Sequence, residues 1–170
     1  MRDRGENRVQ GAEVAARPPV MRRVDLNRVA PEVSRAVREL DLAVKHAGLD
    51  PTLVELLKVR VSQINRCAYC LDMHTKDALA AGERPQRLFA LSAWREAPFY
   101  TDRERAALAW AEAVTACSEG VPDDVYEGVR SHFAERELVF LTLAVVAINS
   151  WNRLAVSFKT PAGTYRPDLA

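Results

Sequence analysis

Glu55-Leu-Leu-Lys-Val-Arg-Val-Ser-Gln-Ile-Asn-Arg-Cys-Ala-Tyr-Cys-Leu-Asp-Met-His74 is the stretch whose reading decides the fold of this 170-residue chain. It holds two of the three cysteines, one of the three histidines and the Glu55 carboxylate in a largely apolar helical pattern. Cys67 and Cys70 stand three apart and His74 follows four later, spacings that place all three on one face of an α-helix. Asp77 extends that face by a further turn. A dithiol beside an imidazole performs redox chemistry that neither thiol manages alone.

The stretch reads as two helices rather than one. Asp50 suits an N-cap and Pro51 a first helical position, where the missing N–H costs nothing. Leu53, Val54, Leu57, Val61 and Ile64 then recur at helical spacing. A second pattern starts near Cys67 and runs through Leu71, Ala78 and Ala81 to Gly82, a natural residue to follow a helix. On one straight helix Glu55 and Cys67 would lie roughly 18 Å apart at ~1.5 Å per residue. A break near Asn65-Arg66 lets the chain fold back and brings Glu55 towards the second helix.

Length and composition fit one domain with its own core. Hydrophobic residues make up 48% and charged residues 28%, and the net charge is +1. That balance gives no electrostatic case for nucleic acid or an anionic membrane. The longest apolar run, Leu138 to Ile148, is eleven residues and contains Thr142, short of the ~20 that span a bilayer. The N-terminus lacks the apolar core of a signal peptide, so the protein is read as cytoplasmic. In a reducing compartment a Cys-x-x-Cys pair is catalytic or metal-binding more often than a staple.

Residues 1–20 lack periodicity and end in Arg17-Pro-Pro, as a flexible tail does. Residues 21–160 then form the helical domain, and 161–170 a C-terminal tail after Pro161-Ala-Gly163. Leu26 to Ala30 makes a short lead-in, and Pro31 opens a helix striped by Val33, Val37, Leu40 and Val44. After the two site helices, Pro85 opens another, which Pro98 ends. Thr101-Asp-Arg-Glu104 fits a capping box. Pro122 with Asp123 and Asp124 begins the next helix, and the last runs from about Glu135 to Phe158. Its apolar middle predicts a buried central helix or a subunit interface. The fold is therefore all-α, a bundle of about seven helices. Exposed-looking Trp94, Phe99 and Tyr100 favour an oligomer, with filling of the monomer core as the alternative.

Glu55, eleven intervening residues, Cys67-Ala-Tyr-Cys70, three residues and His74 resemble the signature of the AhpD-like alkylhydroperoxidases within the carboxymuconolactone decarboxylase family. Val59-Arg-Val-Ser-Gln-Ile-Asn, Leu71-Asp-Met-His-Thr-Lys-Asp-Ala78, Leu91-Ser-Ala-Trp-Arg95 and Asn149-Ser-Trp-Asn-Arg153 are similar to its peroxidase-related branch. The resemblance covers about residues 22 to 160. It implies an AhpD-like helical bundle that oligomerises (as dimer, trimer or hexamer) and carries a thiol peroxidase or disulfide reductase site. Glu55, Cys67, Cys70 and His74 match the family's proton-relay and dithiol positions. Two positions depart from it: Tyr69 stands where the best-known members have a second histidine, and Arg66 where related sequences often have glycine. A lipoyl-bearing or thioredoxin-like protein is the dithiol reductant that the resemblance implies.

A thiolate, not a thiol, attacks peroxide or disulfide, and a neighbouring base or helix N-terminus favours it. His74 can take the Cys70 proton, Glu55 can orient that imidazole, and the helix N-terminus and Arg66 favour a Cys67 thiolate. Proximity to His74 favours Cys70 as attacker, while helix-end exposure favours Cys67. The reading places Cys70 as the base-activated thiol and Cys67 as the one meeting the outside disulfide. Tyr69 and Asp77 are candidate supporting residues, Asp77 by i,i+3 contact with His74 or as a surface partner of Lys76 or Arg84. Alternatives are zinc held by Cys67, Cys70, His74 and Glu55 or water, and two inert core cysteines. Cys117 is read as structural, and Asn149 to Arg153 as packing and interhelix hydrogen bonding. No metal and no organic cofactor is expected. A peroxidase acting on hydroperoxide leads the readings, ahead of a disulfide reductase, a redox sensor without turnover, and a decarboxylase on the same fold.

Overall fold

In the computed structural model, which describes residues 20–167, the chain forms eight α-helices and, among the described residues, no strand. Of the expected tail over residues 1–20, all but Val20 lies outside the described residues. α1 is Leu26–Val29, α2 Pro31–Lys45, α3 Pro51–Ile64 and α4 Ala68–Ala80. α5 is Pro85–Ala90, α6 Asp102–Thr115, α7 Asp123–Arg130 and α8 Glu135–Ser157. Local chemistry sets many of these ends. Asp50 caps α3 by accepting from the Thr52 N–H at 2.9 Å, and prolines open α2, α3 and α5. The Thr101–Glu104 capping box starts α6, with Glu104 also bound to Arg87.

α3 is the axis of the bundle and packs against α4, α6 and α8. Leu56, Leu57, Val59 and Val61 are all fully buried, so α3 is covered on nearly every side. That is what an apolar all-round helix requires. α8 is long and apolar enough to cross a membrane by length and composition alone. Leu141, Val145 and Ile148 on it are buried against the rest of the bundle, while Val139 and Val146 face outward.

Trp94 and Tyr100 are both buried and belong to the monomer core. The Trp94 indole donates to Glu112 at 2.8 Å and the Tyr100 hydroxyl to the Arg87 carbonyl at 2.5 Å. Buried rings with polar handles satisfy those handles internally, so these aromatics carry no argument for an oligomer. Cys117 also departs from its reading, being a free, exposed thiol on a short 3₁₀ turn after α6. The segment after Phe158 is held to α4 as far as Tyr165. The Gly163 N–H donates to Asp72 at 2.9 Å, Lys76 to the Tyr165 carbonyl at 3.1 Å, and the Tyr165 hydroxyl to Asp77 at 2.7 Å.

Candidate active site

The turn that joins α3 to α4 builds the site. Arg66 adopts a left-handed conformation with φ 54°, the position after a helix that glycine fills without strain. The Cys67 N–H donates to the Ser62 carbonyl at 3.0 Å and the Arg66 N–H to the Gln63 carbonyl at 3.2 Å. Those two bonds are a Schellman motif. The very next residue, Cys67, is the N-cap of α4, its sulfur accepting from the Cys70 N–H at 3.3 Å. One residue therefore reverses the chain, and the two helices lie against each other.

That reversal brings Glu55 to the second turn of α4, where its Oε2 lies 2.9 Å from His74 Nδ1. Lys58 donates to the other oxygen at 3.0 Å. Burial by itself would raise the Glu55 pKa. The hydrogen bond and charge of His74, together with Lys58, outweigh burial and hold the carboxyl below its ordinary value. An ionised carboxylate only accepts, so Nδ1 is the protonated ring nitrogen in this contact. His74 Nε2 is buried and makes no hydrogen bond among the described residues. In the neutral ring that atom carries the lone pair, one helical turn from Cys70.

Cys67 and Cys70 are joined as a disulfide, with Cα atoms 5.4 Å apart. Each residue is only 1% exposed. The helix-end exposure expected of Cys67 is absent because its sulfur folds back onto its own helix terminus. Cys70 instead forms part of the wall of a cavity of about 340 Å³ shared with half-buried Tyr69. Cys67 is not among the residues that line this cavity.

Asp77 stands in the same group. Ligand-capable atoms of Glu55, His74 and Asp77 lie within 4.8 Å of one another. A cation could be held by this trio, but the group contains neither sulfur, and the cysteines are bonded to each other rather than arranged around His74 as zinc ligands. Lys76, one of the expected partners of Asp77, pairs with Asp72 at 2.7 Å. The Tyr165 contact was not legible because Tyr165 is 88 residues away in a segment without periodicity.

Sequence reasoning also missed Asp41 and Ser62. Asp41 accepts from the Trp151 indole at 2.6 Å beside the Cys70 cavity, tying α2 to α8. Buried Ser62 accepts from Asn152 at 3.1 Å just ahead of the turn. Asn149 and Asn152 both accept from Asn65 at 2.9 Å, so the Asn149–Arg153 stretch does make the interhelix hydrogen bonds expected of it.

Residues 31–113 match the model of the carboxymuconolactone decarboxylase family. Over 143 residues the chain is 41% identical to the uncharacterized protein YdfG of Bacillus subtilis, spanning 84% of this chain and 97% of that one. A crystal structure of a protein of unknown function from Agrobacterium tumefaciens, suggested to be the antioxidant defence protein AhpD, superposes with a TM-score of 0.82. It is 41% identical, with 85% of this chain and all of that one covered. An uncharacterized peroxidase-related protein with an AhpD core, from Ralstonia eutropha, shares the fold at a TM-score of 0.71 and 22% identity, over 79% and 73% of the two chains. Taken with the all-helical fold, these matches show that the chain belongs to the carboxymuconolactone decarboxylase family, among its AhpD-like members.

Proposed function

We propose that this protein is a thiol-dependent peroxidase that reduces hydroperoxides through a Cys67–Cys70 dithiol/disulfide cycle. The observation that carries the reading is the paired dithiol at the start of α4, with Cys70 in a cavity wall and a Glu55–His74 pair one turn further on. The Cys70 thiol loses its proton to His74 Nε2. The thiolate sulfur attacks the distal peroxide oxygen, the O–O bond breaks, and the departing alkoxide takes a proton to leave as an alcohol. Sulfur is oxidised by two electrons to sulfenic acid. The Cys67 sulfur then displaces its hydroxyl as water and forms the disulfide. A dithiol reductant, a lipoyl-bearing or thioredoxin-like protein, exchanges with that disulfide by way of the cavity and restores both thiols. Such a cycle belongs in a reducing compartment such as the cytoplasm. A homo-oligomer remains part of the proposal, resting on the family resemblance and on outward-facing Val139 and Val146 of α8.

The test follows free thiols in the reduced protein after mixing with cumene hydroperoxide or hydrogen peroxide, with and without a dithiol donor. Fast loss of two thiols, renewed by the donor, is the expected result. Oxidation no faster than that of an ordinary exposed thiol overturns the reading, and donor-driven cleavage of a protein disulfide without peroxide turnover would favour a disulfide reductase.

Glu55→Gln keeps the shape of its side chain but removes the carboxylate charge that faces His74 Nδ1. Thiol oxidation is expected to slow by about tenfold, less than the roughly 10²–10⁴-fold that a positioned base contributes, because His74 itself is kept. Stability supplies a second readout with a defined sign. Folding lowers the Glu55 pKa from its ordinary 4.5, so the carboxylate's contribution is complete above that value and is lost as pH falls through the folded one. The stability gap between wild type and Glu55→Gln, measured by urea unfolding, should close as pH falls below about 4.5.

A further inference from the structure

The cavity that Cys70 shares is framed by α1 and α2 on one side and α4 and α8 on the other. Its size, about 340 Å³, is at the small end of small-molecule sites, roughly 300–1,000 Å³. Met73, Trp151 and Phe158 give it an apolar wall. Four charged side chains also line it: Arg22, Asp25, Arg38 and Asp41. Three of these are already engaged. Arg22 pairs with Asp25 at 3.0 Å, and Asp41 accepts from Trp151 and lies 4.0 Å from Lys58. Among the described residues Arg38 makes no hydrogen bond or ion pair. It is exposed, whereas Cys70 is buried. The lining thus combines an exposed guanidinium, an apolar wall and one sulfur of the dithiol, that of Cys70.

A guanidinium fork matches a planar carboxylate in a bidentate way. The two aspartates in the same lining disfavour a dianion, which leaves a monoanion as the best match. We infer that the cavity selects a compact organic hydroperoxide bearing a single carboxylate, with Arg38 binding the carboxylate and the hydroperoxide group directed to Cys70. The inference rests on the peroxidase reading above and names the substrate class of that site. The apolar body lies along Met73 and Trp151. Attack by the Cys70 thiolate breaks the O–O bond and releases the hydroxy-carboxylate. Cys67 then closes the disulfide with loss of water, and the dithiol reductant supplies the two electrons that return the protein to its starting state.

The test uses a matched pair, cumene hydroperoxide and its para-carboxylate, which differ only by the charged group. The second-order rate of thiol loss should be about tenfold higher for the carboxylate in wild type, and the preference should shrink with added salt. In Arg38→Ala the ratio of the two rates should fall to within twofold. A ratio near one in wild type, or one that survives in Arg38→Ala, overturns the inference. A second arm needs no peroxide chemistry: 4-isopropylbenzoate, the redox-inert analogue, is titrated into the full chain by calorimetry. Binding that weakens about tenfold in Arg38→Ala supports the anion subsite, and no binding, or binding indifferent to Arg38, overturns it. If neither hydroperoxide oxidises the thiols at more than an ordinary rate, the peroxidase reading fails and the calorimetric arm decides the subsite alone.

Discussion

Cys70→Ser is expected to remove peroxide-driven oxidation almost completely, by about 10³-fold, within the range that a positioned base lends to a nucleophile. Cys67→Ser should behave differently. Cys70 faces the cavity and is followed one turn later by His74, so the first oxidation survives without Cys67. It then halts at a sulfenic acid, because no second thiol condenses with it. A dimedone adduct on Cys70, formed once per chain and without turnover, is the expected signature. Both variants belong in a Cys117→Ser background, since Cys117 is a free exposed thiol whose slow oxidation would blur the count. Fast sulfenic acid on Cys67 in Cys70→Ser would reverse the assignment of attacker and resolver. Loss of fast oxidation in both single variants would mean that the two sulfurs act only as a pair, as in disulfide exchange.

Much of this site could be read from the sequence because its parts are local. Spacings of three and four on one helix bring Cys67, Cys70 and His74 to one face whatever the rest of the chain does. The Asp50 cap and Pro51 fix where α3 starts. Glu55 was harder, since its approach to His74 depends on how the chain reverses. The left-handed Arg66 that makes the reversal has no signature in its own residue type, because arginine seldom occupies that conformation. α3 carries a recognisable stripe, yet Leu56 and Val59 off that stripe are just as buried. Periodicity marks a face and does not show how many neighbours cover the others. The Asp41–Trp151 and Asp77–Tyr165 contacts link residues 110 and 88 apart. Pairings at such distances are set by tertiary packing and leave no local pattern. The aromatics at Trp94 and Tyr100 misled for a related reason: their polar handles find partners inside the monomer, which side-chain type alone does not reveal.

Asn152→Ala should cost about 3 kcal/mol, a large part of the 5–15 kcal/mol by which domains are stable. Asn152 is fully buried and works as a two-sided connector. Its Nδ2 donates to Ser62 Oγ at 3.1 Å, and its Oδ1 accepts from Asn65 Nδ2 at 2.9 Å. Truncation removes both bonds, opens a void in a packed interior and leaves the Ser62 hydroxyl without that donor, losses of about 1–3 kcal/mol for the polar part alone. Asn65 keeps its bond to Asn149 at 2.9 Å, which limits the damage. The effect reaches the dithiol because Ser62 supplies the carbonyl that holds the Cys67 N–H, and Asn65 immediately precedes Arg66. Disulfide formation should therefore slow several-fold along with the loss of stability. Urea unfolding of the reduced protein measures the first effect, and peroxide-driven thiol loss under folding conditions measures the second. Ser62→Ala separates network from void. If the hydrogen bond matters, the double variant will be less destabilised than the sum of the singles, by about 1 kcal/mol. Strict additivity would mean that the Ser62 bond contributes nothing, and would assign the cost of Asn152→Ala to lost packing and to the lost bond from Asn65.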